Sequence, residues 1–381
     1  MKDSFVSTAR LRASWGESGN LTAIGPYSRF TNYTTGSLVG NTTFTLAGNQ
    51  IGNLDLVPER SVSTEYGFDL GLFKDRITVG FTKYNADIKD LLFNTQIAPS
   101  QGANTALKNI GTMNNKGYEI NAKIDIIKRE NFNFGLNMTY SKNKNVVTSV
   151  PGDRVNVANP NSGAPFHIIT GEAIGVLYGT YYATNPDGTL LLTNLGLPQI
   201  ERGNVTTNLP LRDANGQPTG ANLFKVIGDP NPDFLFSVGG NINYKKLGLN
   251  FLFDGSQGGD VWDADYRTRN NVGAGELAAK ELTGELPRGY IRSVAAIEQF
   301  RVVDGSYVKL REISLNYSLG KLNGYFNDLT ISASGRNLYS WDNFTSYDPE
   351  VTSGGQSAFA RYNFGAIPIP KTYTVALKFQ F

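Results

Sequence analysis

The sequence has few of the residues that most catalytic and metal sites use. Its 381 residues include no cysteine and one histidine, His167. The lack of cysteine excludes disulfides, thiolate metal sites and a cysteine nucleophile, and a single histidine excludes a histidine-rich metal site. Charged residues make up only 18% of the chain and the net charge is +2. This balance argues against a nucleic-acid-binding protein, which carries a basic patch or stripe.

Long apolar runs are also missing. No segment approaches the roughly 18 apolar residues of a membrane-spanning helix. The first residues, Met1–Phe5, lead directly into a polar segment without the apolar region and small-residue cleavage site of a signal peptide. Taken alone, this start predicts a cytoplasmic protein. The alternative is that the chain is the later part of a longer protein.

Aromatic residues are plentiful, with 22 Phe, 19 Tyr and 3 Trp, and they follow a period of two. In 131–141, for example, five alternate positions are Phe132, Phe134, Leu136, Met138 and Tyr140, and the positions between them are Asn, Gly, Thr and Ser. Such alternation is typical of a strand with one apolar and one polar face. It predicts ten strands, at 8–15, 62–72, 77–87, 118–126, 131–141, 234–244, 247–255, 307–319, 328–337 and 372–381. The phase changes near Lys83, which indicates a bulge or a strand end.

Two all-β architectures fit this pattern. One is a soluble β-sandwich with the apolar faces as its core. The other is an antiparallel transmembrane β-barrel, whose strands need about 9–11 residues. The polar faces are rich in Asn, Thr, Ser and Gly, as a wet lumen would be, and the apolar faces often end in Tyr or Phe, as an interfacial girdle would. These features favour the barrel.

The connections alternate in length along the chain. The short ones are 73–76, 127–130, 245–246 and 320–327, and the long ones are 16–61, 88–117, 142–233, 256–306 and 338–371. An outer-membrane barrel sorts its connections in this way, with short periplasmic turns and long extracellular loops. The pattern therefore predicts that both termini are periplasmic. It also predicts short strands inside 142–233, near Ile174–Ala183, and a loop helix at 275–286.

Seven short motifs occur in order along the chain. They are Leu11–Asn20, Asn53–Arg60 with Glu65, Asn114–Glu119, Gly228–Phe234, Asp304–Arg311, Arg336–Leu338 followed by Tyr347–Glu350, and Ile367–Tyr373. With these motifs the chain resembles the C-terminal barrel portion of SusC/RagA-type TonB-linked outer-membrane transporters.

The resemblance implies an outer-membrane location in a Gram-negative cell and a barrel of 22 strands with a plugged lumen. It implies import of oligosaccharides or peptides together with a SusD-like surface lipoprotein, with energy from TonB acting through the plug. It also implies contact with outer-membrane lipid and with the barrel-assembly machinery. No enzyme activity, cofactor or nucleic-acid partner is expected. The ten predicted strands and the absence of a plug segment predict a fragment of such an importer, with TonB reached only through the missing plug.

Two groups of residues are candidate sites. Tyr373, Phe379 and Phe381 end the last strand and resemble the signal read by barrel-assembly machinery; the alternative is an ordinary closing strand. Aromatic residues beside carboxylates suit stacking and hydrogen bonding to a sugar or peptide, and the alternative for them is a girdle or loop-anchoring role. The candidate substrate or partner contacts are Asp260, Trp262, Asp263, Tyr266, Trp341 and Tyr347.

Two other features favour a structural interpretation. Asp213, Asn215 and Gln217 have the spacing of calcium-loop positions 1, 3 and 5, but position 12 is Phe224, so an Asx–Gly turn is the better interpretation. His167 has no nucleophile or orienting carboxylate in a recognisable motif and is predicted to be a loop residue. The alternatives for the whole chain are a self-closed passive channel and a soluble extracellular β-sandwich that binds ligands.

Overall fold

A computed structural model describes residues 5–22, 24–38, 42–47, 50–157, 163–322, 326–353, 359 and 361–380. Ten antiparallel strands form one sheet, which we call the wall. They are β1 (Val6–Asn20), β2 (Glu59–Leu72), β3 (Ile77–Lys89), β4 (Thr112–Arg129), β5 (Phe132–Ser149), β6 (Pro232–Tyr244), β7 (Leu247–Gly258), β8 (Tyr307–Leu322), β9 (Phe326–Asp342) and β10 (Thr372–Gln380).

The order of the strands across the wall is their order along the chain. The ten predicted strands are thus confirmed, and most are longer than the alternation indicates: β4 and β5 have 18 residues each. Apolar and polar residues alternate only in the part of a strand that has one apolar and one polar side. The rest of the strand does not show the pattern, so its length is underestimated from the sequence. The long connections are correspondingly shorter than predicted, at 21–58, 90–111, 150–231, 259–306 and 343–371.

The apolar face of the wall stays uncovered. Leu315 and Leu377 are 44% and 58% exposed, whereas the core of a β-sandwich would bury them, so the sandwich alternative is wrong. Aromatic rings stack across neighbouring strands of this face, with centroids 5.4 Å apart for Phe68 and Phe81 and 5.9 Å apart for Tyr118 and Tyr140. An exposed apolar face with an aromatic row is typical of a wall that meets lipid.

The two edges of the wall differ. The register places Val6 opposite Leu72 and Gln380 opposite Asp328, so both chain ends lie beside the short turns. We call this side the short-turn edge and the other the long-loop edge. Within the described residues β1 pairs only with β2 and β10 only with β9. The sheet is therefore open, which argues against the self-closed channel.

The predicted bulge or strand end at Lys83 is wrong. Strand β3 continues to Lys89, and its register is unbroken against both β2 and β4. The phase changes because the surroundings change. Beyond Lys83 the inner face of the strand packs on the loops, where Ile88 contacts an apolar cluster that includes Leu91 and Val147.

The long connections fold into a second layer, the loop layer, over the long-loop edge. It contains α1 (Ala264–Asn271), α2 (Glu276–Thr283) and α3 (Tyr290–Ala295), and short 3-10 turns at Pro99–Gln101, Pro151–Asp153 and Glu298–Arg301. Its strands are Tyr33–Leu38, Thr42–Ala47, Gln50–Ile51, Leu92–Gln96, Thr105–Asn109, Arg154–Asn156, Phe166–Ile169, Val176–Thr180, Arg202–Asn204, Leu209–Pro210, Ala221–Asn222, Phe224–Gly228, Asp260–Asp263, Val302–Asp304 and Tyr362–Asn363.

The predicted loop helix and the predicted strand near Ile174–Ala183 are both confirmed, as α2 and Val176–Thr180. Three apolar clusters, centred on Ile168, Phe166 and Leu107, give the loop layer a core of its own. No helix in the described ranges is both long enough and apolar enough to cross a membrane.

Candidate functional site

The loop layer is held together at Asp263, a fully buried carboxylate. The Tyr266 N–H and the Asn363 side-chain amide donate to Oδ1, each over 3.0 Å. The hydroxyls of Thr345 and Ser346 donate to Oδ2, over 2.9 and 2.5 Å. Asp263 thus caps α1 and joins the connection between β7 and β8 to the connection between β9 and β10. A buried polar group is costly unless it is hydrogen-bonded, and these four donors satisfy both carboxyl oxygens of Asp263.

Two further predicted contact residues lie beside it. Trp262 is fully buried, and the Arg301 guanidinium lies 4.9 Å from the centre of its ring. Asp260 is half-buried and accepts a hydrogen bond of 2.8 Å from the Asp229 N–H. Burial raises the pKa of Asp260 above its ordinary value, although the hydrogen bond acts in the opposite direction. Burial assigns Trp262 and Asp263 to the packing of the loop layer, which corrects the expectation that they contact a substrate.

The most accessible part of the site is an aromatic–arginine cluster of the half-buried Tyr266 and Arg269 and the exposed Tyr347. The Arg269 guanidinium carbon lies 6.0 Å from the Tyr266 ring centre and 5.5 Å from that of Tyr347, which is 68% exposed. Arg269 also donates to the Ser346 hydroxyl over 3.0 Å, and the Tyr266 ring lies 5.5 Å from Phe300. Such a cluster can stack on a ring or methylene face and pair with an anion. The sequence analysis did not identify Arg269, because it predicted no helix at 264–271; on α1, Arg269 lies three residues after Tyr266 and therefore on the same face.

Trp341 belongs to a different surface. It lies on the lipid-facing side of β9, with ring centres 4.6 Å from Tyr339 and 6.2 Å from Phe253. This is the position of an interfacial girdle residue. The structure therefore favours the girdle interpretation of Trp341 over substrate contact.

A group of charges, the charge tie, connects the wall to the last long connection. Lys309 is only 4% exposed, and its Nζ lies 2.5 Å from Asp348 and 2.9 Å from Glu350. Arg311 bridges Asp254 on β7 and Glu350, over 2.5 and 2.7 Å. Burial alone would raise the pKa of Glu350, but its hydrogen bonds with Arg311 and Lys309 outweigh burial and hold that pKa below its ordinary value. The seven motifs contain Lys309, Arg311, Asp348 and Glu350 but not Asp254, and nothing in the sequence shows that these residues meet.

The predicted turn at 213–217 is present. Asp213 Oδ1 accepts from the N–H groups of Asn215 and Gln217, over 2.8 and 2.9 Å. That is an Asx turn, and the oxygen a calcium ion would need is already engaged. His167 lies in the loop layer, as predicted, buried on a short strand with Nδ1 2.9 Å from the Pro165 carbonyl oxygen.

The candidate assembly signal lies on the open edge of the wall. Tyr373 and Phe379 are on β10, 74% and 45% exposed on the apolar face, as a terminal recognition strand requires. Phe381 lies outside the described residues. Recognition by assembly machinery stays a prediction.

A wall with one lipid-facing side, a polar inner side and a folded loop layer over one edge defines a membrane β-barrel protein. The chain belongs to the family of TonB dependent receptor-like β-barrels, whose model matches residues 4–338. Barrels of this family are outer-membrane proteins.

Relatives and solved structures support the SusC/RagA type. The TonB-dependent receptor P3 of Formosa agariphila is 28% identical over 423 residues, which cover 100% of this chain and 40% of that protein. TonB-dependent receptor SusC of Bacteroides thetaiotaomicron is 22% identical, over 99% of this chain and 38% of its own length. The RagAB peptide importer in its closed-closed state shares the fold, with a TM-score of 0.77 at 21% identity, over 100% of this chain and 41% of that one. The chain thus spans about 40% of the length of the relatives it matches.

Proposed function

We propose that the chain forms part of an outer-membrane importer of oligosaccharides or peptides that acts with a SusD-like surface lipoprotein. The observation that carries the proposal is the folded loop layer over one edge of a lipid-facing wall, with an aromatic–arginine cluster of which Tyr347 is exposed and Tyr266 and Arg269 are half-buried. The names of the similar proteins support it, since RagAB is described as a peptide importer. Both chain ends and the short turns would face the periplasm, and the loop layer would face outward to meet substrate and lipoprotein.

The cluster would recognise the substrate by its faces and its charge. Tyr266 and Tyr347 offer rings to a sugar or a side chain, and Arg269 between them offers N–H donors to a carboxylate or hydroxyl. Energy from TonB would reach the wall through parts of the relatives that this chain does not span. The last strand, with Tyr373 and Phe379, would be read by the barrel-assembly machinery.

Orientation can be tested directly because the chain has no cysteine. A single cysteine at Asn215, in the loop layer, should react in intact cells with a maleimide that cannot cross the outer membrane. A single cysteine at Lys245, in a short turn, should react only after the outer membrane is opened. The opposite labelling pattern would contradict the proposed orientation, and labelling of both sites in intact cells would contradict a sealed membrane wall.

Uptake tests the function itself. Replacing Tyr347 by alanine removes one stacking face, and such contacts contribute about 0.5–1.5 kcal/mol. We expect the half-saturation concentration for uptake to rise about two- to tenfold, since each 1.4 kcal/mol is tenfold in affinity. The measurement is uptake of labelled oligosaccharide and peptide mixtures by cells that carry the wild-type or variant gene.

The matched control is Tyr317→Ala, which removes an equally large ring from the lipid-facing side of β8, where Tyr317 is 45% exposed. Its uptake should equal that of the wild type. If deletion of the gene changes uptake of neither class, the proposed function is wrong. If deletion abolishes uptake but Tyr347→Ala leaves it unchanged, only the assigned cluster is wrong.

A further inference from the structure

Four lysines stand close together on the outside of the wall, toward the long-loop edge: Lys83 on β3, Lys116 on β4, and Lys142 and Lys144 on β5. We call them the lysine patch. All four side chains are exposed. Lys83 and Lys142 lie on either side of Tyr118 in the register, and Lys116 lies directly opposite Lys144.

The face on which they lie follows from their neighbours. Gly117, between Lys116 and Tyr118, points to the inside, where a Cβ would lie 2.5 Å from the Tyr84 hydroxyl. On the same inner side, the Tyr84 hydroxyl donates to Asn143 over 2.8 Å. Since alternate residues of a strand point to opposite faces, the lysine patch lies outside, on the face of the stacked aromatic rings.

The level of the patch follows from the same rings. Tyr118 stacks between Phe81 and Tyr140, with ring centres 6.3 and 5.9 Å away. Lys83 and Lys142 share its level, and Lys116 and Lys144 lie two residues farther out, or about 7 Å at the usual rise of a strand. An aromatic girdle marks the boundary between the hydrocarbon core and the headgroups. The patch therefore lies at the level of the lipid headgroups.

The charges of the patch are not neutralised by the protein. None of the four lysines makes an ion pair among the described residues. Asp87, the acidic residue on the next row outward, accepts a hydrogen bond of 2.8 Å from Asn114. Like charges directly opposite each other, as at Lys116 and Lys144, destabilise a strand pair. A bound anion at this position would remove the repulsion.

We propose that the lysine patch binds the phosphate of an outer-leaflet lipid headgroup. Lysine ammonium groups bind phosphate as point charges, and a partner that reaches this face at headgroup level in a membrane is a lipid. Beside Lys83, across the outer face of β1 to β3, a groove of about 500 Å³ is lined by Leu11, Tyr66, Phe68, Phe81 and Lys83, among others. This groove is apolar enough to receive an acyl chain of the same lipid. The assignment of the lipid to the outer leaflet rests on the proposed orientation of the wall. The binding of a lipid phosphate by the lysine patch does not depend on that orientation.

The test uses the protein extracted in detergent from its own outer membrane, with lipid A that carries its phosphates as the probe. Binding is measured by native mass spectrometry and by titration. We expect Lys116→Gln/Lys144→Gln to raise the dissociation constant at least tenfold, and Lys116→Arg/Lys144→Arg to bind as the wild type does. Lys245→Gln/Lys246→Gln, at the opposite edge, is the matched control and should leave binding unchanged. On gel electrophoresis, each variant should show the same shift in migration on heating as the wild type. An equal shift shows that the wall is intact in all of them.

Two further probes identify the group that is bound. Dephosphorylated lipid A should bind at least tenfold more weakly than the phosphorylated form, and inorganic phosphate should not compete at equal concentration. Equal binding of the dephosphorylated lipid would overturn the proposal in favour of apolar adsorption, and full competition by inorganic phosphate would overturn a lipid source. An unchanged dissociation constant in the Lys116→Gln/Lys144→Gln variant would overturn the patch itself. These binding measurements do not depend on transport. If the uptake experiment contradicted the proposed function, the test of lipid binding would still stand.

Discussion

Replacing Asp263 by alanine should open the loop layer while leaving the wall intact. The substitution leaves four donors without their acceptor, among them the Tyr266 N–H and the Asn363 amide. Each buried donor that loses its partner costs about 1–3 kcal/mol. Because water will reach some of them, we expect a loss of about 3–4 kcal/mol in the stability of the layer. Since each 1.4 kcal/mol is a factor of ten, the open fraction should rise at least about a hundredfold.

The measurement is hydrogen exchange and limited proteolysis of α1 and of residues 343–371, with heat-modified migration as the readout for the wall. The control is Asp265→Ala, two residues away, which removes only a carboxylate 3.8 Å from Arg269. A partly exposed pair of this kind contributes about 0–1 kcal/mol, so exchange should change little. Equal exchange in the two variants would show that Asp263 does not hold the layer together. Asp263→Asn retains one acceptor oxygen and should fall between them.

The wall could be predicted from the sequence because its cause is local. Each strand has one face toward lipid and one toward polar surroundings, so a run such as 131–141 carries its structure in its own alternation. The short turns are local too, because each joins two strands that are neighbours both in sequence and in the wall. The order of the ten strands in the wall is therefore their order along the chain. Where a strand leaves the lipid, as β3 does beyond Lys83, the pattern no longer reports the strand, which is why the ends were missed.

The loop layer could not be predicted in the same way. Trp262 and Asp263 look like surface recognition residues in sequence, yet both are fully buried. Their burial depends on residues about 80 to 100 positions later in the chain, such as Thr345 and Asn363. Tyr266 and Tyr347 have the same chemistry in sequence, yet Tyr347 is 68% exposed and Tyr266 is half-buried, with Arg269 between them. Residue type identifies candidates, and only the packing of distant segments decides which of them are exposed.

The charge tie also depends on distant segments, because it joins Lys309 and Arg311 on β8 to Asp348 and Glu350 in the last long connection. Breaking it is expected to cause a second large loss of stability in the loop layer. Replacing Lys309 by methionine keeps most of the apolar stem of the side chain but removes the ammonium group that faces Asp348 and Glu350 at 2.5 and 2.9 Å. Lys309 is only 4% exposed. Removing one partner of a buried ion pair costs about 3–5 kcal/mol, because the remaining charge is left buried without its counterion. The last long connection should therefore detach from β8, with faster hydrogen exchange over residues 343–371.

Two comparisons make this expectation specific. Arg336→Met breaks an exposed pair, 3.0 Å from Glu312, and should change stability by no more than about 1 kcal/mol. Adding Asp348→Leu to Lys309→Met removes a carboxylate that the lysine no longer neutralises, so the double variant should be more stable than Lys309→Met alone. The Asp348→Leu single variant completes the comparison. If the loss of stability in the double variant equals the sum of the losses in Lys309→Met and Asp348→Leu, the two residues are not coupled. The charge tie would then not be what fixes the last long connection. A coupling of about 1 kcal/mol or more would show that the buried charges hold this part of the loop layer against the wall, because replacing a buried pair by apolar groups is often close to neutral.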